Sequence, residues 1–201
     1  MMNNKDAVYK TYDKIATWFN QHRSRELFEK SWLDKATRYL KQNARILDLG
    51  CGMGEPIAQY FIKAGFDVTG IDGSEELIIL AKKRLPKGNF IKADMRGLNL
   101  NENFDMIIAW HSLFHLPQDD QRDMFKTFAL HLKPEGVLLF TSGVENGEVW
   151  GDNGGENLYH ASLSQDEYKL LLQQYSFKLI ENKISDPECG DATIWLARVA
   201  K

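Results

Sequence analysis

Short apolar runs alternate along most of the chain with segments whose apolar residues have helical spacing. The runs lie at residues 45–49, 66–71, 89–93 and 104–109. Helical spacing is found between them at residues 55–63 and after Ser74, which is a plausible N-cap. Strands that alternate with helices are typical of βαβ units and a parallel sheet. The pattern predicts a single α/β domain, with a doubly wound, mostly parallel seven-stranded sheet and helices on both faces.

The remaining elements follow in the C-terminal half. A helix is predicted over 118–132, a strand over 137–140, and two closing strands near 177–184 and 192–199. Residues 143–157 carry five glycines and few apolar side chains, which predicts a loop. That loop serves either as a lid or substrate loop or as a plain surface loop. Ser164 and Glu167 have the spacing of a capping box that starts the last helix.

The stretch up to about residue 41 stands outside this alternation. Its apolar residues have helical spacing, and Tyr9, Tyr12 and Phe19 form an aromatic face. We therefore expect a helical cap over the ends of the strands rather than a separate domain.

Composition narrows the class of protein. The chain has 201 residues, 43% hydrophobic and 26% charged, which describes an ordinary globular domain. A formal charge of −3 gives no basic field for nucleic acid, and no apolar stretch approaches the length of a membrane span. Cys51 and Cys189 lack metal-ligand or CxxC spacing, which favours a reduced cytoplasmic setting but leaves a disulfide open.

Candidate chemistry lies where the predicted strands end. Gly50 and Gly52 follow the first strand, and a turn without side chains lets backbone amides approach a carboxylate or phosphate. Such a turn alone is also compatible with a tight turn that binds no ligand. Asp72 closes the second strand about 20 residues further on, the separation at which an acidic residue binds ribose hydroxyls. Asp94 and Met95 close the third strand, where a carboxylate and a backbone amide can pair with adenine.

These segments together resemble the class I S-adenosylmethionine-dependent methyltransferases. Residues 46–54 match that family's first motif, residues 69–72 its acidic second-strand motif, residues 93–95 its adenine loop, and 104–107 and 132–137 its fourth strand and the turn into the fifth. The flanks are similar to small bacterial methyltransferases whose core resembles the ubiquinone and menaquinone methylation enzymes. The predicted division is then a cap at 1–41, a cofactor-binding core at 44–142, and a substrate loop, helix and closing strands at 143–201.

The resemblance implies S-adenosylmethionine as cofactor, S-adenosylhomocysteine as product, and a role for each matching residue. Gly50, Cys51 and Gly52 would meet the methionyl end of the cofactor. Asp72 would bind the ribose, and Asp94 with Met95 the adenine. Tyr12 and Arg23 would close over the cofactor.

Two positions depart from related patterns. Gly73 stands where the family often carries an apolar side chain that packs on adenine, so stacking at that position is in doubt. Glu55 stands where a dinucleotide-binding G-x-G-x-x-G requires its third glycine, which argues against NAD or FAD.

Histidines supply the candidate catalytic groups. A base is needed if the methyl acceptor is a hydroxyl or an ammonium, and histidine suits that work. His111 and His115 follow the fourth strand and would share one face if the segment is helical. His160 is a further candidate, and polar or capping contacts are the alternative for all three. Trp110 is a ring that could lie near the cationic sulfur. No residue pattern predicts a metal site.

The acceptor is inferred by exclusion. The segment after the fourth strand has neither the Pro-Pro-aromatic run of amino-methylating DNA enzymes nor a cysteine for attack on a pyrimidine. A small-molecule acceptor, no nucleic-acid or membrane partner, and a monomer or homodimer are therefore predicted. The alternatives are a catalytically inactive S-adenosylmethionine-binding partner or regulatory protein, and a nucleotide-using enzyme such as an oxidoreductase.

Overall fold

Seven strands form one twisted sheet in the computed structural model, which describes residues 5–200. The strands of the described chain are β1 (Arg45–Leu49), β2 (Asp67–Asp72), β3 (Asn89–Lys92), β4 (Phe104–Ala109), β5 (Leu132–Ser142), β6 (Gly147–Asn153), β7 (Glu156–Ser162), β8 (Phe177–Asp186) and β9 (Ala192–Val199). The sheet order is β3-β2-β1-β4-β5-β9-β8. Strands β1 to β5 pair in parallel, and β9 is antiparallel to both of its neighbours. The predicted mostly parallel, seven-stranded sheet is confirmed.

Helices cover both faces of this sheet. They are α1 (Val8–His22), α2 (Lys30–Thr37), α3 (Ile57–Lys63), α4 (Glu75–Arg84), α5 (Gln118–His131) and α6 (Gln165–Gln174). Successive residues of β4 alternate between two buried clusters: Met106 and Ile108 pack with α2, α3 and α4, whereas Ile107 packs with α5 and α6. Because a strand places neighbouring side chains on opposite faces, the nearly continuous apolar run of β4 marks it as a central strand.

The caps of two helices follow the prediction in part. Ser74 and Ser164 each accept a hydrogen bond from the backbone three residues on, at 3.2 Å. The Glu167 carboxylate, however, accepts from Arg122 Nε at 2.6 Å rather than completing the capping box. The N-caps are confirmed, and the second half of the box is replaced by this ion pair.

The glycine-rich segment at 143–157 is not a loop, so that prediction was wrong. Most of it belongs to a hairpin in which β6 pairs with β7. Gly154 and Gly155 both have positive φ and form the two-residue connection that the right-handed twist of a hairpin favours. The strand escaped prediction because β6 is exposed on both faces, which leaves no apolar alternation along it.

Helix α1 and the hairpin form a small cluster of their own beside the two main ones. Val8 and the partly buried Tyr12 of α1 pack with Leu158, Tyr159 and Ala161 of β7. Residues 1–4 of the predicted cap lie outside the described chain. Across residues 5–200, no helix combines the length and apolar character needed to cross a bilayer.

Candidate active site

A cavity of about 510 Å³ opens at the carboxyl ends of the central strands, with α1 on its far wall. The chain order of the sheet reverses between β1 and β4, and open α/β sheets bind ligands outside the strand ends at such a point. All thirteen residues predicted to bind cofactor or to act in catalysis line this cavity: Tyr12, Arg23, Gly50, Cys51, Gly52, Asp72, Gly73, Asp94, Met95, Trp110, His111, His115 and His160. Their functional roles remain predictions.

The turn after β1 is held by the end of β2. Gly50 and Cys51 donate their backbone N–H groups to the Ile71 carbonyl at 2.7 and 3.0 Å, and Gly52 donates to Asp72 Oδ2 at 2.8 Å. Gly50 has φ of +78°, and a Cβ atom there would collide with Ser112. The glycine is therefore required, but the expected cradle of free amides is not formed. These three N–H groups are already used within the protein.

The carboxylate of Asp72 accepts hydrogen bonds within the protein and still has acceptor positions free for a ligand. Its Oδ2 atom accepts from Gly52, and its Oδ1 atom accepts from the Ser74 N–H at 2.8 Å. Burial raises the pKa of Asp72 to about 6, against the opposing effect of these two hydrogen bonds. A carboxylate offers about four acceptor positions, so two remain for a ligand in the cavity.

Asp48 is a cavity residue that sequence reasoning missed. It is only 4% exposed, and its carboxyl accepts no hydrogen bond from any residue between 5 and 200. Burial, followed by the charges of Asp72 and Glu29, raises its pKa to about 7. An acidic residue inside the apolar run of β1 was the signal, because strongly perturbed carboxyls mark functional clefts.

Arg23 is the cavity's cation without a partner. Within the described chain its guanidinium makes no hydrogen bond or ion pair, and it lies near enough to His111 to help lower the pKa of that ring. Lys5 and Arg96 also line the cavity, but Lys5 pairs with Glu148 at 3.5 Å, and Arg96 pairs with Asp94 and Asp120 at 2.6 and 3.0 Å.

The carboxylate of Asp94 has fewer free acceptor positions for a ligand than its place in the sequence suggested. Arg96 donates to both of its oxygens, from Nε at 3.0 Å and from Nη2 to Oδ2 at 2.6 Å. Burial alone would raise the pKa of Asp94, but these hydrogen bonds outweigh it and lower the pKa. The carboxylate is thus fixed in orientation at the cavity wall.

A tyrosine occupies the space beside Gly73. A Cβ atom at Gly73 would lie 2.6 Å from both Cβ and Cγ of Tyr9. Tyr9 belongs to α1 and lines the cavity next to Gly73. The position where the family often carries an apolar side chain is therefore filled from the cap helix, a long-range contact that sequence reasoning could not find.

His115 has both ring nitrogens engaged. Its Nδ1 lies 2.9 Å from the Tyr159 carbonyl oxygen, and its Nε2 lies 2.9 Å from the Tyr12 hydroxyl. A carbonyl only accepts, so Nδ1 carries the proton and the neutral ring accepts from Tyr12 at Nε2. Burial lowers the pKa of His115 to about 3, which keeps the ring neutral at pH 7.

The other two histidines reach the same cavity by different routes. His111 and His115 were expected to share one face if their segment is helical. The segment is not helical at His111, because the helical turn covers only Leu113–His115 and His111 has φ of +51°. His160 of β7 brings its ring to 4.7 Å from that of His115. Burial lowers the pKa of His111 to about 4 and lowers that of His160 as well. Among residues 5–200 no group of His, Cys, Asp and Glu side chains is arranged to hold a metal ion.

Neither cysteine forms a disulfide, and Cys51 is not prepared as a nucleophile. Both are free thiols. Burial raises the pKa of Cys51 well above its usual value, and the nearby Asp48 and Asp72 charges add to this. A protonated thiol is a poor nucleophile, so Cys51 serves as part of the cavity wall.

A glycine turn, an acidic residue at the next strand end and an open cavity beside them are typical of α/β proteins that bind a nucleoside-type ligand. Residues 46–136 match the methyltransferase domain family. The chain is 34% identical over 150 residues to YqeM of Bacillus subtilis (strain 168), provisionally named a methyltransferase, with 71% of this chain and 60% of that protein covered. Residues 46–136 therefore carry a methyltransferase domain, and the two matches support a class I S-adenosylmethionine-dependent methyltransferase.

Two further proteins show how widely the likeness extends. The phosphoethanolamine N-methyltransferase of Plasmodium falciparum (isolate 3D7) is 27% identical over 152 residues, covering 72% of this chain and 57% of that protein. The crystal structure of the 1,6-didemethyltoxoflavin-N1-methyltransferase of Burkholderia thailandensis superposes with a TM-score of 0.74 at 19% identity, covering 97% of this chain and 89% of that one, and shows that the fold is shared. The chain spans about 60% of the length of the curated relatives it matches. A particular likeness to the ubiquinone and menaquinone enzymes stays a prediction.

Proposed function

We propose that this protein transfers the methyl group of S-adenosylmethionine to a small-molecule acceptor by in-line displacement. The observation that carries the proposal is the charge pattern of one cavity: the buried Asp48 and the part-buried Asp72, both with raised pKa, and Arg23, whose guanidinium makes no ion pair within residues 5–200. Buried carboxyls are costly unless a cation offsets their charge. S-adenosylmethionine carries a sulfonium and an ammonium against one carboxylate, so its charges complement these three side chains.

Each end of the cofactor has a proposed partner. Asp48 accepts from the methionyl ammonium, and Arg23 takes over the methionyl carboxylate because the glycine-turn amides are occupied. Asp72 accepts from the ribose hydroxyls through its two remaining acceptor positions. Asp94 and Met95 meet the adenine, and the Tyr9 ring covers the adenine face in place of a side chain at residue 73.

The same charges disfavour the oxidoreductase alternative. NAD would bring two phosphate charges into a cavity that already holds two carboxyls with raised pKa, and the amides of Gly50, Cys51 and Gly52 are already hydrogen-bonded within the protein. The repulsion would raise the pKa of Asp48 and Asp72 further instead of relieving it.

The transfer itself needs positioning more than acid or metal assistance. The acceptor atom attacks the sulfonium methyl, the carbon–sulfur bond breaks, and the electron pair remains on sulfur as S-adenosylhomocysteine forms. Holding the two reactants in line supplies much of the acceleration. Tyr12 and the neutral histidines line the cavity. The ring of Trp110 also lines it and would help to exclude water from the reacting atoms.

Calorimetric titration and a turnover assay test the proposal. We expect S-adenosylmethionine and S-adenosylhomocysteine to bind and NAD not to bind. Radiolabelled methyl donor, screened against amine, hydroxyl and heteroaromatic acceptors, should give a labelled small molecule. NAD binding without either sulfur compound would refute the proposal. Cofactor binding with no transfer to any acceptor class would favour the inactive binding partner.

A further inference from the structure

A continuous belt of rings lines one part of the cavity. Phe114 lies at its centre, with ring centroids 4.8 Å from His115, 5.4 Å from His160 and 5.7 Å from His111. Tyr12 extends the belt through His115, with ring centroids 5.4 Å apart. Every one of these residues lines the cavity. Such a wall offers flat apolar contact from several directions, which suits an aromatic ligand.

The belt presents few free polar atoms, and they are imidazole nitrogens. Both nitrogens of His115 are taken by Tyr159 and Tyr12. The His160 ring is bonded to the Leu158 backbone through one nitrogen, which leaves the other as an acceptor. The His111 ring makes no hydrogen bond in the part of the chain that the structure describes, so its neutral form offers one bare nitrogen as an acceptor and one N–H as a donor.

The cationic side chains of the cavity that could bind an anionic methyl acceptor have other partners or another assigned role. Arg96 is held in two ion pairs and Arg23 is assigned above to the methionyl carboxylate, whereas Lys5, which is not one of the rings of the belt, has an exposed ion pair with Glu148. A carboxylate or phosphate placed in the belt would lose its hydration without gaining a cation. A flat, uncharged molecule meets no such cost.

We propose that the acceptor is an uncharged aromatic or heteroaromatic molecule that stacks on Phe114 and donates its O–H or N–H to His111 or His160. This inference rests on the proposed function and names the substrate class of the same site. The acceptor oxygen or nitrogen forms a bond to the methyl carbon as the carbon–sulfur bond breaks. Its proton passes to the bare imidazole nitrogen and then to water. The attacking atom becomes strongly acidic as it gains the methyl group, so a weakly basic imidazole is sufficient.

Binding of matched probes to the protein saturated with S-adenosylhomocysteine tests this acceptor class. The probes are 2-naphthol, its carboxylate counterpart 6-hydroxy-2-naphthoate, and phosphoethanolamine as a charged aliphatic acceptor. We expect 2-naphthol to bind about tenfold or more tightly than either charged probe, because the charged groups must be desolvated. Tighter binding of either charged probe would overturn the proposal.

Variants locate the binding within the belt. Phe114→Ala and the milder Phe114→Leu should weaken 2-naphthol binding by about 2- to 12-fold, the range expected for a lost aromatic pair. Phe28→Ala is the matched control, since Phe28 is exposed and outside the cavity. Normal binding of S-adenosylhomocysteine shows that each variant is folded. If wild type binds S-adenosylhomocysteine but not 2-naphthol, the acceptor class is wrong and the cofactor assignment stands. If S-adenosylhomocysteine itself does not bind, the proposed function fails.

Discussion

Replacing Asp48 with asparagine tests two effects of this carboxyl: its burial lowers the free energy of unfolding, and its charge favours binding of S-adenosylmethionine. Burial raises its pKa from 3.8 to about 7. At about 1.36 kcal/mol for each unit, the ionised form lowers the free energy of unfolding by about 4 kcal/mol above pH 7. Because the folded protein holds this proton more tightly than the unfolded chain, the loss accumulates as pH rises from about 4 to about 7.

Urea denaturation without ligand, at pH 5 and at pH 8, measures this cost. Asp48→Asn should stabilise the protein more at pH 8 than at pH 5, by about 2 kcal/mol or more. Asp34→Asn is the control of opposite sign, because hydrogen bonds from Lys30 and Tyr60 lower the pKa of Asp34. That variant should lose stability at pH 8.

Cofactor binding should change in the other direction. Asp48→Asn removes a charged acceptor for the methionyl ammonium, worth about 1.5–3 kcal/mol, so the Kd for S-adenosylmethionine at pH 8 should rise about 10- to 100-fold. Wild-type affinity should itself increase with pH as Asp48 and Asp72 ionise. An asparagine variant that binds the cofactor as well as wild type at pH 8, or that gains no stability there, would refute this reasoning.

Three further substitutions test the remaining roles. Asp72→Ala should raise the Kd for S-adenosylmethionine about tenfold or more in calorimetry, since it removes both the ribose acceptor and the bond to Gly52; an unchanged Kd would exclude Asp72 from the cofactor site. His115→Ala should lower turnover while cofactor affinity is kept, because it removes the hydrogen-bond partner of Tyr12 rather than a base, and full activity at saturating acceptor would exclude His115 from any role in the transfer. Tyr9→Ala should weaken cofactor binding by about 2- to 12-fold, because it removes the ring beside Gly73. Equal affinity of Tyr9→Ala and wild type would show that Tyr9 does not cover the adenine.

The sheet could be predicted because its strands are buried on both faces and bounded by glycine or acidic residues. The nearly continuous apolar run at 104–109 was enough to identify a central strand. The order of the residues at the strand ends indicated the resemblance to the family. Strand β6 lacked this signal because its side chains are mostly exposed on both faces.

The site was predicted as a set of positions but not as a set of contacts. Gly73 was noted as a departure from the family, yet nothing local reveals that Tyr9, far away in sequence, fills the space beside it. His115 was chosen for its ordinary pKa, whereas the fold uses both of its nitrogens and keeps it neutral. Hydrogen-bond occupancy and desolvation arise from tertiary packing, which sequence spacing does not encode.

The small cluster that joins α1 to the hairpin has a consequence for local unfolding. Exposed ion pairs from Lys5 to Glu148 and from Lys14 to Glu156 supplement its few buried side chains, and such pairs contribute little to stability and are screened by salt. Regions with few buried contacts open at a lower free energy than the core does. We therefore expect α1 and the hairpin to open by local unfolding more readily than the sheet, with the 2.6 Å hydrogen bond from Ser74 Oγ to Asp13 Oδ1 as the contact that ties α1 to α4. Amide hydrogens of α1 and β7 should exchange faster than those of β1 and β4, and bound S-adenosylhomocysteine should slow them selectively.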